Sequence, residues 1–411
     1  MRVLHGLVYG VTMRIPTTIL AGLTALTLAG CSAGEEAAPT STPTSTPTPT
    51  PQETTMNTAA EVPILGLGVG YETVRDPDID TTALRERLDQ TGATAVAVSV
   101  GRPEFLAAPL EGMEEHWAPS ARRAAEEGED QVAHMVEELA GGTSREVTLT
   151  LDVLAPLLVD ADTDSSMTGY FADGQRSESF PSATALSGSY GDVIARTCAG
   201  VASRYQPDRI ALTELIGEAF FSEADEQLFA QASGREGFPR TPDGEVDTAD
   251  PQVVAWHSDV ISGVVSGCVD AAAPHGVAVD MDVRVNWDNP GADRADSGHR
   301  YDELLATGAT LTLWAYTGTG DVPASKVADI VRGLQERYDA ETLQRITVSL
   351  GLWGDGDSVI SPEEFSVSLD AFAEASNGEL GLLVTPASLF DDAHWKALAD
   401  HSAEHSAEHG K

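Results

Sequence analysis

Eight short apolar runs recur along the chain with helix-length segments between them, and few folds accommodate that pattern. The runs are Ile64–Gly70, Thr94–Val100, Val147–Val153, Arg209–Leu215, Val277–Val285, Thr310–Tyr316, Ile346–Leu352 and Leu382–Pro386. The segments between them read as helices at Thr82–Gln90, Ser120–Leu139, Tyr190–Tyr205, Pro251–Ala273, Ser325–Tyr338 and Glu363–Ala375. Strand–helix alternation repeated eight times predicts an α/β chain closed as a (β/α)8 TIM barrel spanning 61–398. A doubly wound open sheet is the runner-up. It would carry a glycine-rich phosphate loop opening a helix, whereas Gly66, Gly68 and Gly70 sit inside the first run.

Side-chain parity supports closure. In the fifth run Val277, Val279, Met281, Val283 and Val285 share one face, and Ala278, Asp280, Asp282, Arg284 and Asn286 the other. Helices cover the outside of a barrel strand, so the apolar face points out and the polar face to the axis. The same rule turns inward Ala95, Ala97 and Ser99; Thr148, Thr150 and Asp152; Thr312, Trp314 and Tyr316; and Thr347 and Ser349. So polar an interior points to a site at the C-terminal mouth. The fourth run resists this rule. With Ile210 and Leu212 facing out, Glu214 should face out too. It reaches the mouth only if the strand bulges or ends at Thr213. The longest insertions follow strands three (Leu154–Ser189) and four (Ile216–Ala249), both at the mouth.

The ends of the chain are of another kind. From Met13 a short basic start leads into an apolar run and then small residues before Cys31, a secretory signal too short for a comfortable membrane span. Leu28-Ala29-Gly30-Cys31 resembles the lipobox of bacterial lipoproteins. That resemblance implies cleavage before Cys31, a lipid on its sulfur and a place on the outer face of the cell membrane. Residues 32–60, rich in Thr and Pro, read as an extended tether. Residues 399–411, with the repeat HSAEHSAEH, read as a solvated tail. The two remaining cysteines, Cys198 and Cys268, lie in helical stretches before strands four and five. In an exported protein a structural bridge is favoured over two buried free thiols. The balance of 24 basic against 65 acidic residues, net −41, repels nucleic acid and anionic lipid. A monomer is expected, with no cofactor and no resident metal.

The upper rim offers Asp152, Glu214, Glu218, Asp280, Asp282, Arg284, Asn286, Trp287, Trp314, Tyr316 and Trp353. Carboxyls and aromatic rings around one cleft suit a sugar. Ring faces stack on pyranose faces, and the carboxyls supply acid and base or nucleophile. Glu214 is the candidate proton donor and Asp282 the second carboxylate. Asp152, Arg284, Asn286, Trp287, Trp314, Tyr316 and Trp353 are candidate substrate-binding residues. Asp280, deeper, is read as structural.

An exported barrel with an acid closing strand four, Thr213-Glu214, resembles the (β/α)8 glycoside hydrolases over Glu61–Trp395. In many of them the strand-four Glu is acid/base and a strand-seven Glu the nucleophile. Here strand seven ends Ser349-Leu350-Gly351-Leu352-Trp353, without a Glu. Chitinase-like families pair the strand-four acid with a neighbouring Asp and a strand-six Tyr, a place matched by Tyr316 in Trp314-Ala315-Tyr316. The expectation is a cell-surface glycoside hydrolase-like protein acting on a poly- or oligosaccharide. The alternatives are a catalytically silent glycan-binding barrel, or a transporter's solute-binding lipoprotein with two lobes and a hinge. Asp355–Phe365 also resembles the latter part of a calcium-binding EF-hand loop, but Ser361-Pro362-Glu363-Glu364 equally reads as a capped helix start.

Overall fold

The computed structural model describes residues 65–409 apart from Asp164, Asp321 and Asp357. The signal, the lipobox with Cys31 and the tether of 32–60 lie outside the described residues. Eight parallel strands follow the eight apolar runs: β1 (Leu65–Val69), β2 (Ala95–Arg102), β3 (Glu146–Asp152), β4 (Arg209–Thr213), β5 (Ala278–Arg284), β6 (Thr310–Trp314), β7 (Ile346–Gly351) and β8 (Gly381–Thr385). Each pairs with its neighbours in sequence. β1 also pairs in parallel with β8, so the sheet closes on itself. The fold is the expected (β/α)8 barrel.

The alternation of the strands explains why it closes. Val96 and Val98, Leu149 and Leu151, Ile210 and Leu212, Met281 and Val283, and Val348 and Leu350 point outward and are buried under the helices. The opposite faces meet inside, where space is short. A Cβ on Gly68 would lie 2.4 Å from the Thr385 hydroxyl oxygen, and one on Gly381 2.8 Å from that of Thr347. The alternating glycines of β1 and the glycine opening β8 are thus packing requirements of a filled barrel.

Several helices begin as their sequences dictate. Asp80 caps Thr81–Thr91 by accepting from Ala83 N, and Asp250 caps Pro251–Ala272 by accepting from Gln252 N. One reading of the sequence needs correction. The helix expected over 120–139 is two helices, Pro119–Glu126 and Gln131–Ala140. Gly128, at φ 80°, turns the chain between them, and Asp130 caps the second. The last helix spans Asp392–His409 and includes the histidine repeat.

Cys198 and Cys268 are joined by a disulfide between helices Ser189–Tyr205 and Pro251–Ala272, with Cα atoms 5.5 Å apart. The insertion after β3 holds a hairpin, Thr168–Tyr170 against Arg176–Pro181. Phe221 N bonds to Tyr170 O at 3.1 Å and ties it to the insertion after β4. The aromatic residues of that second insertion turn into the protein. Phe229 stacks on Phe238 at 4.9 Å, and both pack on Trp256 of the long helix.

Candidate active site

The C-terminal ends of β3, β4 and β5 place three carboxyls together. Asp152 pairs in register with Thr213, and Leu212 with Met281, so Thr213 lies between Asp152 and Asp282 on adjacent strands. At a strand spacing of ~4.8 Å, the Cα atoms of the two aspartates are roughly 10 Å apart. Glu214 follows Thr213. Continued β geometry would point it outward, but the strand ends at Thr213 and Glu214 takes φ 60°. A left-handed residue without glycine's freedom is strained, and such strain gathers at functional sites. The break re-aims the side chain. Glu214 acts electrostatically on Asp282 and Tyr316 and is acted on by Asp152, Arg284 and Glu218.

The three carboxyls differ in environment. Burial raises Asp152 to about 6; the Leu154 N–H, which its Oδ1 accepts at 2.9 Å, and the charge of Arg102 hold it down, while Glu104 pushes it up. Burial raises Glu214 to about 7, with the Asp152 charge adding to the rise and Arg284 opposing it. Burial and then the Asp280 charge raise Asp282 to about 8, although the Thr213 hydroxyl favours its ionised form. The Trp314 indole N–H also favours that form, yet it is buried without a hydrogen bond of normal geometry. Asp280, 5% exposed, accepts the Thr310 hydroxyl at 2.5 Å, which suits the structural role expected of it.

An aromatic array borders the carboxyls. Trp314 and Tyr316 stack 5.6 Å apart at 14°, and Trp353 lies 5.2 Å from Tyr316. The Tyr316 hydroxyl is 3.4 Å from Ser349 Oγ. A groove between the loops after β6 and β7 adjoins this array, lined by Thr317, Val322, Gly354, Asp355 and Val359 among others. Gly351 makes the array possible, since a Cβ there would lie 2.6 Å from Tyr316 Cδ1 and 2.8 Å from Trp353 Cε3.

Other expected residues are occupied differently. The Arg284 guanidinium pairs with Glu218. Asn286 falls beyond the end of β5 and is spent on its own loop. Its side-chain N–H donates to Asp293 O at 3.2 Å and its Oδ1 accepts from Asn289 N at 3.0 Å. Trp287 packs against the core. The 355–364 stretch opens a helix: Ser361 Oγ accepts from Glu364 N at 3.2 Å, and Glu364 Oε2 accepts from Ser361 N at 3.0 Å. Among the described residues no group of three His, Cys, Asp or Glu is placed to hold a metal.

The sequence reading passed over three contributors. Buried His299 accepts the Arg284 backbone N–H on Nδ1 at 3.0 Å and faces Leu215 O from Nε2 at 2.9 Å. Burial, its largest influence, lowers the imidazole to about 4, so it is neutral and donates from Nε2. It thereby locks the end of β5 to the segment just after Glu214. Arg102, the last residue of β2, and Glu104, just beyond it, act on Asp152. A glycine next to an arginine at a strand end, Gly101-Arg102, was the available signal.

No protein-family model matches the chain, and no curated protein matches it by sequence. Solved structures match its fold. The glycoside hydrolase domain of PgaB (BpsB) from Bordetella bronchiseptica aligns at a TM-score of 0.58 and 15% identity, over 83% of this chain and 99% of that one. The β-galactosidase from Rahnella sp. R3 aligns at 0.58 and 12% identity, and α-L-fucosidase isoenzyme 2 from Paenibacillus thiaminolyticus at 0.55 and 13%. This chain spans 56% and 50% of those two and is itself covered to 84% and 85%. By fold, then, the chain is a closed parallel eight-stranded α/β barrel of the kind found in glycoside hydrolase domains.

Proposed function

We propose that the chain is a glycoside hydrolase-like protein that cleaves a poly- or oligosaccharide by carboxyl acid/base chemistry, held at the outer face of the cell membrane through a lipid on Cys31. The observation that carries the reading is Glu214. It is a strained carboxyl at the end of β4, raised to about 7, beside a second carboxyl, Asp152, raised only to about 6. Two carboxyls whose environments hold them apart are the requirement for an acid and its ionised partner. Glu214 keeps its proton for the leaving glycosidic oxygen. Asp152 is the partner that is charged near neutrality. Asp282, raised further, stays protonated and donates a hydrogen bond toward substrate or Glu214. Trp314, Tyr316 and Trp353 offer ring faces to a pyranose. This reading gives Asp152 the ionised role for which Asp282 was first the candidate, because Asp152 acts most strongly among the charges around Glu214.

The test is hydrolysis of an oligosaccharide panel followed by release of reducing ends. Glu214→Gln keeps shape and removes the proton. It should abolish turnover while calorimetry still detects binding; full turnover in the variant would remove Glu214 from the mechanism. One observation favours the second reading, a silent glycan-binding barrel. The inward positions of β7 are Thr347, Ser349 and Gly351, and Gly351 has no room for a side chain. Among the described residues of β7 none is a carboxylate. Binding by the wild type without any release of reducing ends would favour that reading.

A further inference from the structure

Strand β2 departs from its own alternation. From Ala95 to Ser99 it pairs with β3 residue for residue, and Ser99 and Thr150 both face the axis. Then the register shifts, and Gly101 pairs with Leu151, so two residues of β2 oppose one of β3. This is a β-bulge. Gly101 holds it at φ 93°, and a Cβ there would lie 2.5 Å from the Phe105 carbonyl oxygen. Both the conformation and the close approach call for glycine. Strict alternation would send residue 102 outward, with Val98 and Val100. The bulge reverses that and sets Arg102 at the level of Asp152.

The neighbourhood of Arg102 is built. Its Nε lies 4.0 Å from Glu104 Oε1. Glu104, 8% exposed, accepts the N–H groups of Leu157 at 3.0 Å and Leu158 at 2.7 Å. These belong to the first turn of helix Pro156–Ala161, which follows Asp152 after a short loop. One carboxylate therefore holds both the guanidinium and the helix that fixes the path of the chain after Asp152.

We propose that Arg102 is a positioning residue of the site: the Gly101 bulge turns its guanidinium into the barrel mouth, where it keeps Asp152 ionised and so leaves the proton on Glu214. The proposal rests on the reading of Asp152 and Glu214 given above. The charges that act on Asp152 are Arg102, the last residue of β2, and Glu104 just beyond it. Asp152 in turn acts on Glu214, after β4, and on Tyr190, on helix Ser189–Tyr205. Arg284, on β5, acts on Glu214, and Glu214 acts on Asp282. Arg102 is the cation among those that act directly on Asp152.

The test needs no substrate. In the full chain with 13C-labelled aspartate carboxyls, the Asp152 resonance, assigned with Asp152→Asn, is titrated by NMR. Arg102→Gln should raise the Asp152 midpoint by about one unit, the low end expected for losing a nearby opposite charge. Glu104→Gln should lower it, and Arg102→Lys should leave it near the wild-type value. An unchanged midpoint in both Gln variants, with far-UV circular dichroism intact, would overturn the proposal. If Arg102→Gln does not fold, Arg102→Met, which keeps the aliphatic stem and removes the charge, takes its place, and an unchanged Asp152 midpoint there overturns the proposal. Loss of this result would leave the hydrolysis test of Glu214 untouched, and the reverse also holds.

Discussion

A carboxyl that keeps its proton near pH 7 in the folded state destabilises the protein wherever the unfolded state would release it, and Glu214 puts a magnitude on that cost. Its value rises from 4.5 to about 7, chiefly through burial and then through the Asp152 charge. The rise of about 2.5 units corresponds to ~3 kcal/mol at about 1.36 kcal/mol per unit. The sign follows from proton binding. The folded state holds the proton more tightly, so the contribution to stability is fully present below pH 4.5 and is lost as pH rises through about 7. Glu214→Gln has no proton to lose. Urea unfolding of wild type and variant at pH 4 and pH 8 separates this effect from the titrations of groups that Glu214 does not act on, which the two proteins share. The variant should gain on the wild type by about 3 kcal/mol between those pH values. A difference that does not change with pH would refute the buried, protonated Glu214.

Three further outcomes are expected. Hydrolysis should follow a narrow bell with pH, rising as Asp152 ionises near about 6 and falling as Glu214 loses its proton near about 7; a profile flat to pH 9 would exclude Glu214 as the acid. Gly351→Ala, whose Cβ would lie 2.6 Å from the Tyr316 ring, should cost about 1–3 kcal/mol in overpacking and weaken oligosaccharide binding, read by thermal melting and calorimetry. Replacing both Cys198 and Cys268 with alanine opens a bridge across a sequence separation of 70. The chain-entropy model then predicts a loss of up to about 4 kcal/mol, seen as a lower urea midpoint.

The barrel was legible because its constraint repeats. Each strand needs one wholly apolar face, and Val279-x-Met281-x-Val283 and its counterparts print that requirement with a period of two. The same period correctly turned Asp152, Asp282 and Trp314 to the axis. What stayed hidden are the single-residue departures from it. Glu214 reaches the mouth through one left-handed residue, and no local propensity marks a glutamate for that conformation. Arg102 arrives through a bulge whose trace in the sequence is one strand glycine. Asn286 lies past Arg284, where the strand ends, so the period that turned it inward does not reach it. Such departures rest on contacts that a period of two does not encode: Gly101 against Phe105 in the local turn after β2, and Asp152 against Thr213 on strands distant in sequence, which meet only once the sheet has formed.

The most direct test of the central claim is a crystal structure of Glu214→Gln with a bound oligosaccharide. The account predicts a glycosidic oxygen within hydrogen-bond reach, about 2.6–3.2 Å, of the side chain at position 214, and a pyranose ring against Tyr316 or Trp353. A sugar bound away from position 214, or a side chain there turned among the outer helices, would contradict it.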